Sequence, residues 1–234
     1  MFILLKLILA HLIADFILQF EELYKLKLKS VAGHFLHAFC HAAVSLLLVL
    51  PYLKDPFIWI FVIAIAAVHF CQDRIKYSLI ENKKYFFIIF AVDQIVHLLF
   101  LSTILLFPVS KTKLGFPGWP FADLWYTENV WTLYLIAFLI STFCGNFLFH
   151  ALRTSYFKNT REDHFITTPE IVHGLFERTA ITAVFLFSNH WILFCLAPLA
   201  GLARPFLKRV NDKMDFLISF VYGAGVGLLF RLWV

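Results

Sequence analysis

The stretch HFLHAFCHAAVSLLLVLPYLKDPFIWIFVIAIAAVHFCQDRIK, residues 34–76, decides how this chain is read. Two apolar runs flank Pro51, Tyr52, Leu53, Lys54, Asp55 and Pro56. Each run is close to the ~20 residues a helix needs to cross ~30 Å of hydrocarbon. The prolines punctuate the junction, so the runs are expected to fold back on each other. His34, His37 and His41 stand at the outer end of the first run, and His69, Asp73 and Lys76 at the outer end of the second. The fold-back brings these two ends to one level.

The same alternation extends in both directions. Apolar runs predict helices near 2–20, 32–53, 56–78, 84–107, 130–152, 169–188, 190–208 and 213–232. Of 234 residues, 61% are hydrophobic and 15% are charged. Soluble domains carry about 45–50% and about 25%. A bilayer accommodates that excess because it is itself an apolar solvent. The expected fold is an all-α polytopic bundle of about eight transmembrane helices, forming one domain over 1–234. His11, Asp15 and Gln19 interrupt the first run, and no small-residue cleavage site follows, so that run reads as a retained helix. The segment 108–129, with Pro108, Pro117, Gly118, Pro120, Trp119, Trp125 and Tyr126, reads as a loop at the membrane interface.

The net charge of +5 follows the loops. Taking alternate connections, 14 Lys and Arg fall on one side and 4 on the other, with Lys6 and Arg178 inside spans. The richer side is therefore expected to be cytoplasmic and both termini exoplasmic. No basic patch with interleaved aromatics suggests nucleic acid. Cys40, Cys71, Cys144 and Cys195 lie in separate runs without a CxxC pair and read as small buried hydrophobes.

Ionisable groups inside a bilayer are expensive and usually face the protein interior. His11, Asp15 and Gln19 recur every four residues along one helical stripe. His37 and His41, His69 and Asp73, and Asp93 and His97 repeat the i, i+4 spacing on the next three spans. All belong to the cytoplasmic half. His11, Asp15, His37, His41, His69, Asp73, Asp93 and His97 are therefore candidate ligands for a divalent metal, zinc or manganese. Asp15, Asp73, Asp93 and Glu177 are candidate catalytic carboxylates. Gln19, Lys76, Arg178 and Arg204 are candidates to hold a substrate, the arginines through a phosphate. His34, at the interface, reads as a weaker candidate than His37 or His41.

AHLIADFILQ at 10–19, HFLHAFCHA at 34–42, HFCQDRIK at 69–76 and DQIVHLL at 93–99 occur in this order. Together they resemble the bacterial integral-membrane family known as domain of unknown function 3307. HGLFER at 173–178, LARPF at 202–206 and DFLISF at 215–220 are similar to that family's C-terminal elements. Asp215 stands in place of a usual Glu, and Arg204 lacks an upstream Lys. The resemblance implies location in a bacterial inner membrane and no particular activity.

The residues themselves suggest a metal-dependent intramembrane hydrolase. Its substrate would be a lipid or polyprenyl-linked molecule taken from the cytoplasmic leaflet. A proton- or metal-ion-coupled transporter and a non-catalytic membrane assembly factor are the alternatives.

Overall fold

The computed structural model describes residues 1–79, 85–156, 168–188 and 213–234. The expected span over 190–208, and with it Cys195 and Arg204, lies outside the described residues, as do Lys83, His164 and His190. The side chains of Arg153, His173 and Asp215 are also outside them.

The described chain is helical, with no strand among the described residues. Helix α1 is Phe2–Leu12, continued by a π turn at Ile13–Ile17. Helices α2, Glu21–Lys29, α3, Val31–Leu48, and α4, Pro56–Leu79, follow. Then come α5, Phe86–Ser102, and α6, Pro120–Thr127. Helix α7, Asn129–Leu139, runs through a second π turn, Ile140–Cys144, into α8, Gly145–Tyr156. The last are α9, Thr168–Phe187, and α10, Lys213–Arg231.

Among the described residues, four helical stretches are long and apolar enough to cross a membrane: Val31–Leu48, Pro56–Leu79, Phe86–Leu106 and Asn129–Tyr156. A fifth is obtained if Phe2–Ile17 and Glu21–Lys29, bent by 83°, count as one span. Phe216–Arg231 is apolar but shorter. The first helix was expected to run unbroken to residue 20; instead it ends at Ile17 and turns sharply into α2. Glu21 and Glu22 open α2 and Lys27 and Lys29 close it, each sign at the favourable end of the helix dipole. The 108–129 segment is also more ordered than a loop, because Pro120 starts α6 at its first position.

The chain clusters into two compact units, Met1–Thr132 with Ala151–Thr160, and Leu133–His150 with Arg161–Val234. In the first unit, α1, α3, α4 and α5 are layered along their lengths. One end is apolar: Leu4 and Leu7 of α1 meet Phe61, Val62 and Ile65 of α4 and Leu101 of α5. Around that end, Lys6 donates to the Tyr126 carbonyl and to Thr132 Oγ1, both at 2.6 Å. Tyr52 donates to the Thr112 carbonyl at 2.9 Å and Tyr126 to the Leu48 carbonyl at 2.7 Å. Burial pushes both phenols up from their ordinary pKa, so they remain protonated donors. The other end of the same helices is polar and carries the candidate site.

The outer surfaces of these helices are apolar. Phe39 is 67% exposed, Ile63 66% and Leu99 64%. At the polar end, ionisable side chains are inside and large hydrophobic ones outside, the reverse of a soluble bundle. Cys71 belongs to that outer surface and is exposed, against the expectation that it is buried. Cys40 and Cys144 are half-buried and in no disulfide among the described residues.

In the second unit, α9 and α10 pack along each other. Gly223 and Gly227 of α10 make the close approach possible. A Cβ at Gly227 would come within 2.9 Å of the Thr182 carbonyl oxygen, and one at Gly223 within 3.1 Å of Ile181. Thr182 also donates to the Gly223 carbonyl at 3.1 Å.

Candidate metal centre

Asp15 lies in the π turn of α1, where the wider winding aims it at α3. Its Oδ1 is 3.1 Å from His37 Nε2 and 2.9 Å from His41 Nε2. The two imidazole nitrogens are 3.3 Å apart. His37 and His41 share one face of α3 because they are four residues apart. His11, four residues before Asp15 on α1, places Nδ1 3.3 Å from His69 Nε2 on α4. The rings of His41 and His69 stack with centroids 3.4 Å apart, and His97 of α5 stacks on His69 at 3.8 Å. His11, Asp15, His41 and His69 each offer a ligand atom within 4.8 Å of the others, all buried.

Two lysines compensate the remaining carboxylates. Lys27 of α2 meets Asp73 Oδ2 at 2.6 Å, and its Nζ donates to Gln19 Oε1 at 2.5 Å. Lys76 meets Asp93 Oδ2 at 2.7 Å and lies 3.9 Å from Asp73 Oδ1. Asp73 is also 3.7 Å from His37 Nε2 and 3.9 Å from His34 Nδ1. Gln94 reaches into the middle. Its Nε2 donates to Asp15 Oδ2 at 2.9 Å and its Oε1 faces His11 Nε2 at 3.1 Å.

Every candidate ligand named from the sequence, His11, Asp15, His37, His41, His69, Asp73, Asp93 and His97, is buried in this one cluster. The pairing inside it differs from the i, i+4 reading. His11 and Asp15 are 3.6 Å apart, and Asp93 and His97 3.7 Å, both beyond hydrogen-bond distance. The short contacts run between helices, because only neighbouring helices can surround a common point. Gln19 and Lys76, expected to hold a substrate, are committed to Lys27 and Asp93.

Glu177 and Arg178 belong to the second compact unit. Arg178 donates to the Ser141 carbonyl at 2.7 Å, to the Thr142 carbonyl at 3.2 Å and to Asn146 Oδ1. Both carbonyls belong to the π turn at Ile140–Cys144, and the guanidinium takes them up from α9. Arg178 is thus built into the packing of its own unit, where Glu177 is also buried.

Three members of the first unit's cluster were given no part in it, or a lesser one, by the sequence. Lys27 was counted with the loop charges, yet its side chain is 0% exposed. His34 was placed at the interface, yet it is 1% exposed. Gln94 stands in the DQIVHLL stretch and was given no role. The available signal was charge: three carboxylates inside a bundle require cations, and Lys27 and Lys76 flank them in sequence.

The donor set suits a divalent ion of intermediate softness. Tetrahedral ligands at 2.0–2.1 Å lie about 3.3 Å from each other, and octahedral ones about 3.0 Å. The Asp15, His37 and His41 triangle, with edges of 2.9, 3.1 and 3.3 Å, has that size. Nδ1 of His37, His41 and His69 and both ring nitrogens of His97 find no hydrogen-bond partner among the described residues. Buried polar atoms are seldom left so; an ion held on Nε2 of His37 and His41 would make their Nδ1 atoms N–H donors that still call for acceptors.

No curated protein and no solved structure matches this chain. A family model described as "Protein of unknown function (DUF3307)" matches residues 3–116, which contain the whole cluster, and does not extend to the C-terminal stretches. The N-terminal half of the chain, residues 3–116, belongs to the DUF3307 family.

Proposed function

We propose that this chain is an integral membrane enzyme whose chemistry runs at a divalent metal ion, zinc or manganese, held by Asp15, His37, His41, His11 and His69. The observation that carries this reading is the 2.9, 3.1 and 3.3 Å triangle of Asp15 Oδ1, His37 Nε2 and His41 Nε2. Charge supports it. Asp15, Asp73 and Asp93 carry three negative charges and Lys27 and Lys76 two positive ones, so neutral histidines leave a deficit that a cation fills.

Such an ion, when bound, acidifies water and polarises a carbonyl or phosphoryl oxygen, which suits hydrolysis. The chain's own residues then have separable tasks. Asp15 fixes the two imidazoles of α3. Asp73 and Asp93, each held by a lysine, would receive a proton near the reacting centre. The apolar outer surface of α3, α4 and α5 would lie against lipid, so a lipid or polyprenyl-linked substrate would arrive laterally from the cytoplasmic leaflet. In that reading the chain has about eight spans, with both termini exoplasmic. The apolar core at the opposite end of these helices favours a closed site over the through-path a proton- or metal-ion transporter needs. It equally gives an assembly factor no reason to bury eight ligands.

The test is hydrolysis of lipid-linked phosphates or esters by purified protein in mixed micelles, with chelator and then zinc or manganese added back. Turnover that chelator abolishes, metal restores and Asp15→Ala lacks is the expected result. Turnover indifferent to chelator, or equal in Asp15→Ala, would remove the metal enzyme reading.

A further inference from the structure

Gln94 sits between the two halves of the cluster and touches both. Its amide nitrogen is 2.9 Å from Asp15 Oδ2 and 3.3 Å from Asp93 Oδ2. Ionised carboxylates only accept hydrogen bonds, so the group between them is the NH2. The other end of the amide is then the carbonyl oxygen, which also only accepts. It faces His11 Nε2 at 3.1 Å, so that nitrogen carries the proton. A neutral imidazole holds one N–H, so His11 Nδ1 keeps its lone pair. That lone pair points at His69 Nε2, 3.3 Å away.

We infer that Gln94 is the positioning residue of the centre. It locks His11 in the Nε2–H tautomer, which presents Nδ1 to the metal. It also occupies Asp15 Oδ2, which leaves Oδ1 facing His37 and His41. This rests on the metal reading above for the ion, but not for the tautomer. The tautomer follows from the amide and the two carboxylates alone. Gln94 would not itself hold the ion; it would decide which atoms of its two neighbours do. The same amide couples α1 to α5, so the ligands of α1 are set by a residue more than seventy positions later in the chain.

The experiment uses full-length protein with 15N-labelled histidine in detergent micelles, stripped of metal. His11→Asn identifies the His11 signals. Long-range 15N–1H correlation is expected to show His11 protonated on Nε2. In Gln94→Leu that signature is lost, and competition against a chelator gives zinc affinity lower by about 10–100-fold. Gln94→Glu restores an acceptor opposite His11 and is expected to restore the Nε2–H signature. Protonation of His11 on Nδ1 in the unmodified chain overturns the proposal, and it does so even if Gln94→Leu fails to fold. An unchanged tautomer in a folded Gln94→Leu overturns it as well. A chain that shows the Nε2–H tautomer, loses it in Gln94→Leu and takes up no zinc keeps Gln94's role and ends the metal reading instead.

Discussion

Lys27 shows how far a residue's role depends on what lies across the bundle from it. By sequence it is one of three lysines in a charged segment, alternating with Lys25 and Lys29. Lys25 does what such a residue usually does, pairing with Glu21 at the surface. Lys27 turns inward to Asp73. Breaking a buried pair from one side strands a charge, which costs about 3–5 kcal/mol. Lys27→Met is therefore expected to lower the thermal midpoint in micelles sharply. Lys27→Met combined with Asp73→Asn should recover part of the loss, since no charge is then left unpaired. A double variant as unstable as the sum of both single ones would show that the two side chains do not act on each other. The ligand list itself was legible in the sequence because charged residues inside apolar runs announce themselves. Their partners were not. Nothing in the spacing of His11 and Asp15 reveals that Asp15 serves His37 and His41 on the next long helix.

At the scale of elements, helix positions were readable and helix breaks were not. The spans expected at 32–53, 56–78 and 84–107 correspond to α3, α4 and α5 within a few residues. The turn after Ile17 went unseen because Leu18 and Phe20 continue the apolar pattern without proline or glycine. The π turn that aims Asp15 leaves no mark in the composition either. Gly33 is what lets α3 return closely after that turn: a Cβ there would collide with the backbone of Leu26 and Lys27. Gly33→Val is expected to push α2 away from α3, destabilising the unit by at least about 1–3 kcal/mol and exposing Lys27. Modification of Lys27 by an amine-reactive probe, read by mass spectrometry, should rise in this variant; unchanged protection would refute the close packing. In α10, Gly227→Leu should be destabilising because it meets the Thr182 carbonyl. Gly225→Ala should be neutral or slightly stabilising, because nothing lies within 4 Å of its new methyl. Thermal melts of the two variants side by side check that contrast, and a neutral Gly227→Leu would contradict it.

For the whole molecule, the distribution of charge and apolar surface supplies the testable statements. Lys27 and Lys76 belong to the buried network, so they drop out of the loop charges; the asymmetry becomes 12 against 4 and keeps its sign. Cysteines introduced at positions 83 and 113 should therefore be labelled from opposite sides of a sealed vesicle. Labelling of both from one side would overturn the expected topology. The burial of three carboxylates, one lysine and six histidines beneath an apolar exterior, with Lys76 half-buried beside them, is the property that most needs a cause, since each such group is costly in lipid. A bound divalent ion supplies one. Elemental analysis of the full chain, purified without chelator, tests this most directly, with Asp15→Ala prepared in parallel. The account predicts about one zinc or manganese per chain in the unmodified protein and a loss of most of it in Asp15→Ala. Protein that carries no divalent metal and takes none up when zinc or manganese is supplied would contradict it.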